Sequence, residues 1–230
     1  MPPLMTRVIA AALLLSLASA AQSGAAHDSL EGKQIFKNNR VTVNHWQIPP
    51  GESTPIHRHD HDSITVVVSG GQTQDSASPR RTNKSEAGDV RLRTAGVEHS
   101  TKNVGSAPFE AVTIGFADPQ GKQTNIGKKS QTCAPDKESC VEEKELFCTE
   151  KVCVEDVVMA PQSMSVKHSH TTDHLLVAIS DYELTDEVEG KGTVVRTHKA
   201  GELEYIPAGI THQLKNTGSA PAHFTVILWK

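Results

Sequence analysis

The segment Lys33 to Ser69 matches the segment Lys144 to Ser180 at a constant offset of 111 residues without a gap. Phe36 falls on Phe147, Val41 on Val152, Val43 on Val154 and Pro50 on Pro161. His57, His59 and Asp62 fall on His168, His170 and Asp173. After a two-residue shift the match resumes, so that Gly88, Gly96, His99 and Asn103 fall on Gly201, Gly209, His212 and Asn216, and Gly105-Ser106-Ala107-Pro108 recurs as Gly218-Ser219-Ala220-Pro221. This period is far beyond the roughly 20 to 50 residues of solenoid repeats. The chain therefore reads as two copies of a whole domain, each of about 100 residues and large enough to bury a core.

Within each copy the apolar runs are short and rich in β-branched residues: Ile64 to Val68, Ala111 to Phe116, Leu175 to Ile179 and Phe224 to Trp229. Turn-forming groups separate them, among them Pro49-Pro50-Gly51, Ser69-Gly70-Gly71, Glu189-Gly190-Lys191-Gly192 and Pro207-Ala208-Gly209. That pattern predicts an all-β barrel or sandwich. Asp118 to Asp136, polar and rich in turn formers, is expected as a linker, and Glu138 to Leu146 as a helical turn or two.

The N-terminus carries one basic residue, Arg7, then the apolar run Val8 to Leu17 and the small residues Ala18-Ser19-Ala20. This is the pattern of a secretory signal peptide ending at residue 20. The run is about ten residues, whereas a membrane-spanning helix needs about twenty, so no span is expected after cleavage. The expected location is periplasmic or extracellular. Cleavage would make the formal charge of −4 one unit more negative, which gives nucleic-acid binding no support.

Cys133, Cys140, Cys148 and Cys153 are an even set in an exported chain, which points to disulfides with three pairings to choose from. A hairpin around Thr149 to Val152 would join Cys148 to Cys153 and leave Cys133 for Cys140. A four-cysteine zinc site is the competing reading, but paired Cys-x-x-Cys knuckles are absent.

Six of the twelve histidines occupy repeated positions. On a strand, residues i and i+2 share a face, so His57-x-His59 and His168-x-His170 each present two imidazoles to one side, and His99 or His212 supplies a third from another strand. Three neutral imidazoles suit a divalent transition metal: iron, manganese, nickel, copper or zinc. The second copy adds His174, giving the set His168, His170, His174 and His212, and on that account is the preferred site. The first copy has Ser63 at the equivalent position, with His61 as a makeshift fourth ligand. Asp62 and Asp173 are candidates to orient an imidazole from outside the ligand set, or else to cap the turn before a strand. His27, His45, His198 and His223 follow no pattern.

These residues resemble the cupin superfamily. Its second motif, Gly, five residues, Pro-x-Gly, two residues, His, three residues, Asn, is matched in full by Gly201, Pro207, Gly209, His212 and Asn216. Gly88, Gly96, His99 and Asn103 match it with Thr94 in place of the proline. Gly51, His57, His59 and Gly70 match the first motif, but its glutamate is replaced by Ser63 and by His174, and Gln162 and Asp181 stand in place of two glycines. The resemblance implies two tandem jelly-roll (double-stranded β-helix) barrels, at 27–117 and 140–230, with a linker at 118–139. It also implies a metal cradle without an anionic ligand, similar to the all-histidine iron sites of some cupin dioxygenases. Cupins span many activities, so the fold does not name a reaction.

Two functions follow from the sequence. One is a metal-dependent enzyme, a dioxygenase-like oxidoreductase or an isomerase, whose metal keeps an open position. The other is a binding or structural protein, for which a saturated four-histidine site would speak. Only nine Phe, Trp and Tyr residues are present, which favours a small polar or carboxylate substrate over an aromatic one. No catalytic acid or base is assigned. Pairing of barrels within one chain or in a homo-oligomer is a further expectation.

Overall fold

A computed structural model of the chain describes residues 30, 32–133 and 140–230. The expected signal peptide lies outside the described residues. Those residues form strands and turns without a helix, so none of them makes a helix long and apolar enough to cross a membrane.

In the first half the strands are β1 (Lys33–Lys37), β2 (Val41–Ile48), β3 (His57–Arg58), β4 (Ser63–Ser69), β5 (Gly71–Asp75), β6 (Thr82–Ser85), β7 (Val90–Arg93), β8 (Glu98–His99), β9 (Thr101–Asn103) and β10 (Phe109–Phe116). The second half contains β11 (Thr124–Cys133), β12 (Cys140–Cys148), β13 (Val152–Met159), β14 (His168–His170), β15 (His174–Ala178), β16 (Tyr182–Val188), β17 (Gly192–His198), β18 (Leu203–Ile206), β19 (Ile210–Asn216) and β20 (Ala222–Trp229). The large sheet of the first half runs β1-β2-β10-β4-β7 and that of the second runs β11-β12-β13-β20-β15-β18. Smaller sheets, β3-β8 and β6-β5-β9 in one half and β14-β19-β16-β17 in the other, complete the barrels. The pairing is antiparallel, and β2-β10-β4-β7 recurs as β13-β20-β15-β18.

Strand alternation gives each large sheet two different faces. Val43, Ile64, Val66, Val112 and Ile114 from the first sheet pack with Val154, Leu175, Val177 and Ile227 from the second in one core, each with no exposed surface. Burial of side chains of this size contributes about 1.5–3 kcal/mol each, so the face between the halves is a main source of stability. The intervening residues, among them Thr65, Thr113, Leu176 and Val226, point into the barrels.

Two imidazole–carboxylate hydrogen bonds frame this contact. His45 Nε2 lies 2.6 Å from Glu110, and His223 Nε2 lies 2.7 Å from Asp156. Residue 45 is the equivalent of 156 and residue 110 of 223, so the pair recurs with acid and imidazole exchanged. Gly201 lies against the first pair and Gly88 against the second, both with positive φ; a Cβ would come within 2.7 Å of His45 and 2.8 Å of His223. Gln162 adopts φ 63° where the first half has Gly51 at 82°, the strain expected where a side chain replaces glycine in a turn.

Two expectations are corrected. Residues expected as a linker contain β11, a ten-residue edge strand exposed on both faces. Its composition offers no apolar pattern because what holds it is the ladder to β12, with Ser130 donating to Glu143 and Gln131 to Glu142. The expected helical turn is β12, which is clamped between β11 and β13. The disulfides are Cys133–Cys140 and Cys148–Cys153.

Candidate metal centres

Each barrel gathers three imidazoles. Pairing of β3 with β8 sets His57 opposite His99, and pairing of β14 with β19 sets His168 opposite His212; the i+2 alternation then adds His59 and His170. Within each set one ring nitrogen per histidine lies within 4.8 Å of the others. The Nε2 atoms of His59 and His99 are 2.9 Å apart, and those of His170 are 3.0 Å from His168 and 3.2 Å from His212.

Hydrogen bonds on the far side of the rings fix which nitrogen faces inward. His57 Nδ1 donates to Pro55 O and His168 Nδ1 to Val166 O, both at 2.9 Å, so their Nε2 atoms present lone pairs. His212 Nδ1 donates to Asp186 at 2.9 Å, with the same result. His99 Nδ1 lies 3.1 Å from Asp75, a looser approach than that of His212 to Asp186. Lone pairs converging at this spacing fit a shared cation: metal–nitrogen bonds of about 2.0–2.1 Å place neighbouring ligands roughly 2.9 to 3.4 Å apart in octahedral or tetrahedral geometry.

Four of the clustered imidazoles are also held toward the neutral form that a metal needs. Burial, then the neighbouring His99 and His57, lowers His59 to about 4. Burial and Arg93 lower His99 to about 4. Burial, then His174, His168 and His212, lowers His170 to about 3. His174, pushed down by burial and His212, falls to about 4.

The structure divides the remaining sequence candidates. Three of the four second-barrel histidines converge; His174, 3% exposed, stacks on His170 with ring centroids 3.9 Å apart. Ser63, in the equivalent place, contacts His59 Nδ1 at 3.1 Å and so positions a ring. His61 lines the first cavity, outside the converging set.

Neither Asp62 nor Asp173 bonds an imidazole; each lies at the turn before a strand, the other place that the sequence left open. Asp62 accepts the backbone N–H groups of Ala95 and Gln120 at 2.8 and 2.6 Å. Asp173 accepts from Ala208 N–H at 2.9 Å and from Tyr205 at 2.5 Å. Both staple the turn before a strand to a neighbouring loop. The carboxylates on the imidazoles are Asp75 and Asp186, each held by an arginine: Arg93 at 2.7 Å, and Arg196 at 2.7 and 2.8 Å. Burial alone would raise Asp186, but hydrogen bonds from His212 and Arg196 outweigh it and keep the carboxyl below its ordinary range. Asp75 and Asp186 also stand 111 positions apart, a signal in the sequence beyond the point where the surrounding identities fade.

The barrels differ most in their space. The first encloses a cavity of about 680 Å³, the second about 70 Å³. Inward positions explain the contrast: Thr65, Thr113 and Gly115 in the first correspond to Leu176, Val226 and Leu228 in the second, and Ala111 to Phe224. The wider chamber therefore lies in the first barrel, opposite to where the extra histidine directs attention.

Comparison with known proteins agrees with this architecture. Residues 44–115 match the family model described as a cupin domain. The β-alanine degradation protein BauB of Pseudomonas aeruginosa is 36% identical over 67 residues, 29% of this chain and 70% of its own length. AerE from Microcystis aeruginosa superposes with a TM-score of 0.60 at 14% identity, over 86% of this chain and 97% of that one. An oxalate decarboxylase variant from Bacillus subtilis gives a TM-score of 0.56 at 14% identity, over 83% of this chain and 69% of that one. At these identities the two solved structures speak for the fold alone.

Proposed function

The chain belongs to the cupin superfamily, and on that premise we propose that it is an exported two-barrel member, a bicupin, with a divalent transition metal in each histidine triad and a substrate chamber in the first barrel. The observation that carries this reading is the coincidence, in that barrel, of converging imidazole lone pairs with a 680 Å³ cavity. Ligand sites are ordinarily about 300–1,000 Å³. His57, His59 and His99 would hold the ion, Ser63 and Asp75 would orient two of them, and Arg93 would fix Asp75. A metal at such a site supplies a Lewis acid or a redox centre with open positions.

The second barrel is assigned a different task. His168, His170 and His212, with His174 as a fourth candidate ligand, surround too little space for an organic substrate beside an ion, which favours a structural metal there. Export is supported by the signal pattern in residues 1–20 and by two disulfides, which persist in oxidising compartments. We place the domain boundary before β11, so that 27–117 and 118–230 are the units. A small polar or carboxylate substrate fits a first chamber that carries Asn44, Thr65, Arg91 and Thr113, and the related BauB is named for the degradation of β-alanine. The name of Mn(II) centres in the Bacillus subtilis decarboxylase makes manganese a reasonable first ion to test.

Trp46 offers the test, because its ring stacks on His57 with centroids 5.7 Å apart. In a Trp229→Phe variant, Trp46 is the remaining tryptophan. Its fluorescence should be quenched by Ni²⁺ with saturation at one equivalent in the first barrel, and His57→Ala should abolish the response. Unchanged emission on addition of Ni²⁺ would contradict the assignment.

A further inference from the structure

We infer that the first barrel takes an organic anion with a hydroxylated body, its carboxylate held by Arg91 while its other end reaches the His57, His59 and His99 cluster. This deepens the reading of the first barrel as the substrate chamber and rests on it.

Charge is the first argument. Arg93 lines the cavity but is answered by Asp75 at 2.7 Å. Arg91 lines the same cavity, donates to Ser85 Oγ at 2.7 Å, and has no carboxylate partner among the described residues. Arg58 and Asp60, also in the lining, carry opposite charges. A guanidinium on the cavity wall without a carboxylate partner is suited to bidentate capture of a carboxylate, and Arg91 keeps part of its surface open to solvent. The equivalent position in the second barrel is Glu204, so the wall has changed sign between the two copies.

The second argument is the lining. Thr42, Asn44, Thr65 and Thr113 present hydroxyl and amide groups, where the second barrel has Cys153, Glu155, Leu176 and Val226. Set in a wall that also carries Trp46, Ile48, Val67 and Phe109, these groups offer a hydroxylated body hydrogen-bond partners that the second barrel lacks.

Isothermal titration with gluconate, sorbitol and hexanoate separates the elements of the inference. Gluconate should bind, sorbitol and hexanoate at least ten-fold more weakly, and Arg91→Gln should cost gluconate roughly 10- to 100-fold, as for loss of a charged hydrogen-bond partner. Arg91→Glu, which copies the second barrel, should abolish gluconate binding. Sorbitol binding as tightly as gluconate, or an Arg91→Gln change within two-fold, overturns the anion site. Hexanoate equalling gluconate overturns the hydroxylated body. The titrations are run on chelator-treated and on Ni²⁺-loaded protein: Arg91-dependent gluconate binding without any Trp46 quenching by Ni²⁺ would sustain this inference while the metal reading fails.

Discussion

His212 donates its Nδ1 proton to Asp186 at 2.9 Å, and neither side chain has more than 3% of its surface exposed. Asp186 in turn receives two N–H groups of Arg196, which also bonds Glu204. A buried imidazole is thereby locked in the tautomer whose Nε2 faces the other two rings. In the first barrel Asp75, held by Arg93, stands in the equivalent place 3.1 Å from His99 Nδ1.

Asp186→Asn therefore has two expected effects. Removing the carboxylate beneath a ligating histidine typically weakens metal affinity 10- to 100-fold. It also leaves Arg196 with Glu204 alone, and breaking a buried pair costs about 3–5 kcal/mol. Equilibrium unfolding and competition with a chelator measure the two separately, and a variant unchanged in both would remove Asp186 from its role.

The lowered histidines give metal-free protein a defined pH response. Their folded values of about 3 to 4 lie below the 6.5 of an unfolded histidine. Their contribution is complete above about pH 6.5 and is lost as the pH falls toward 4, because the unfolded chain takes up protons that the folded chain refuses. Each such proton steepens the loss by up to roughly 1.4 kcal/mol per pH unit, less where water reaches the ring. Urea unfolding of chelator-treated protein at pH 7.5, 6 and 5 should show falling stability; equal midpoints would show that the imidazoles are not buried as described.

The two glycines at the contact between the halves should be intolerant of a methyl group. Gly88→Ala and Gly201→Ala meet an imidazole at 2.8 and 2.7 Å on top of a positive φ, whereas Gly209, at φ +84°, has open space around it. Alanine at 209 should cost about 1 kcal/mol, and at 88 or 201 roughly 2–4 kcal/mol. Thermal unfolding that ranked the three equally would argue against the packing of the halves.

The empty space of the first barrel should be removable without touching its histidines. Thr65→Leu with Thr113→Val imports the residues of the second barrel at inward positions. Ni²⁺ quenching of Trp46 should persist while gluconate binding falls at least ten-fold. Undiminished gluconate binding would place the ligand elsewhere.

Much of this organisation was legible in the sequence, and what was missed has physical reasons. Repeated His-x-His pairs announced both triads because strand alternation turns spacing directly into a shared face. Asp75 and Asp186 are not legible because their surroundings have diverged, and the nearness of Asp62 and Asp173 to the histidines leaves orienting an imidazole and capping a turn equally open. The arginines that hold the true partners come from different strands, Arg93 from β7 and Arg196 from β17, so the repeat could not align them. Strand β11 was hidden by exposure on both faces, which leaves an edge strand without an apolar pattern. The difference in cavity volume depends on which residues face inward, and that required the register of the sheets.

The most direct test of two metal centres is the metal content of untagged mature protein and of its His57→Ala and His168→Ala variants. Two independent centres predict close to two ions per chain in the parent and close to one in each variant. Full content in both variants, or no bound metal in the parent after loading with Mn²⁺, Fe²⁺, Ni²⁺, Cu²⁺ or Zn²⁺, would contradict that expectation.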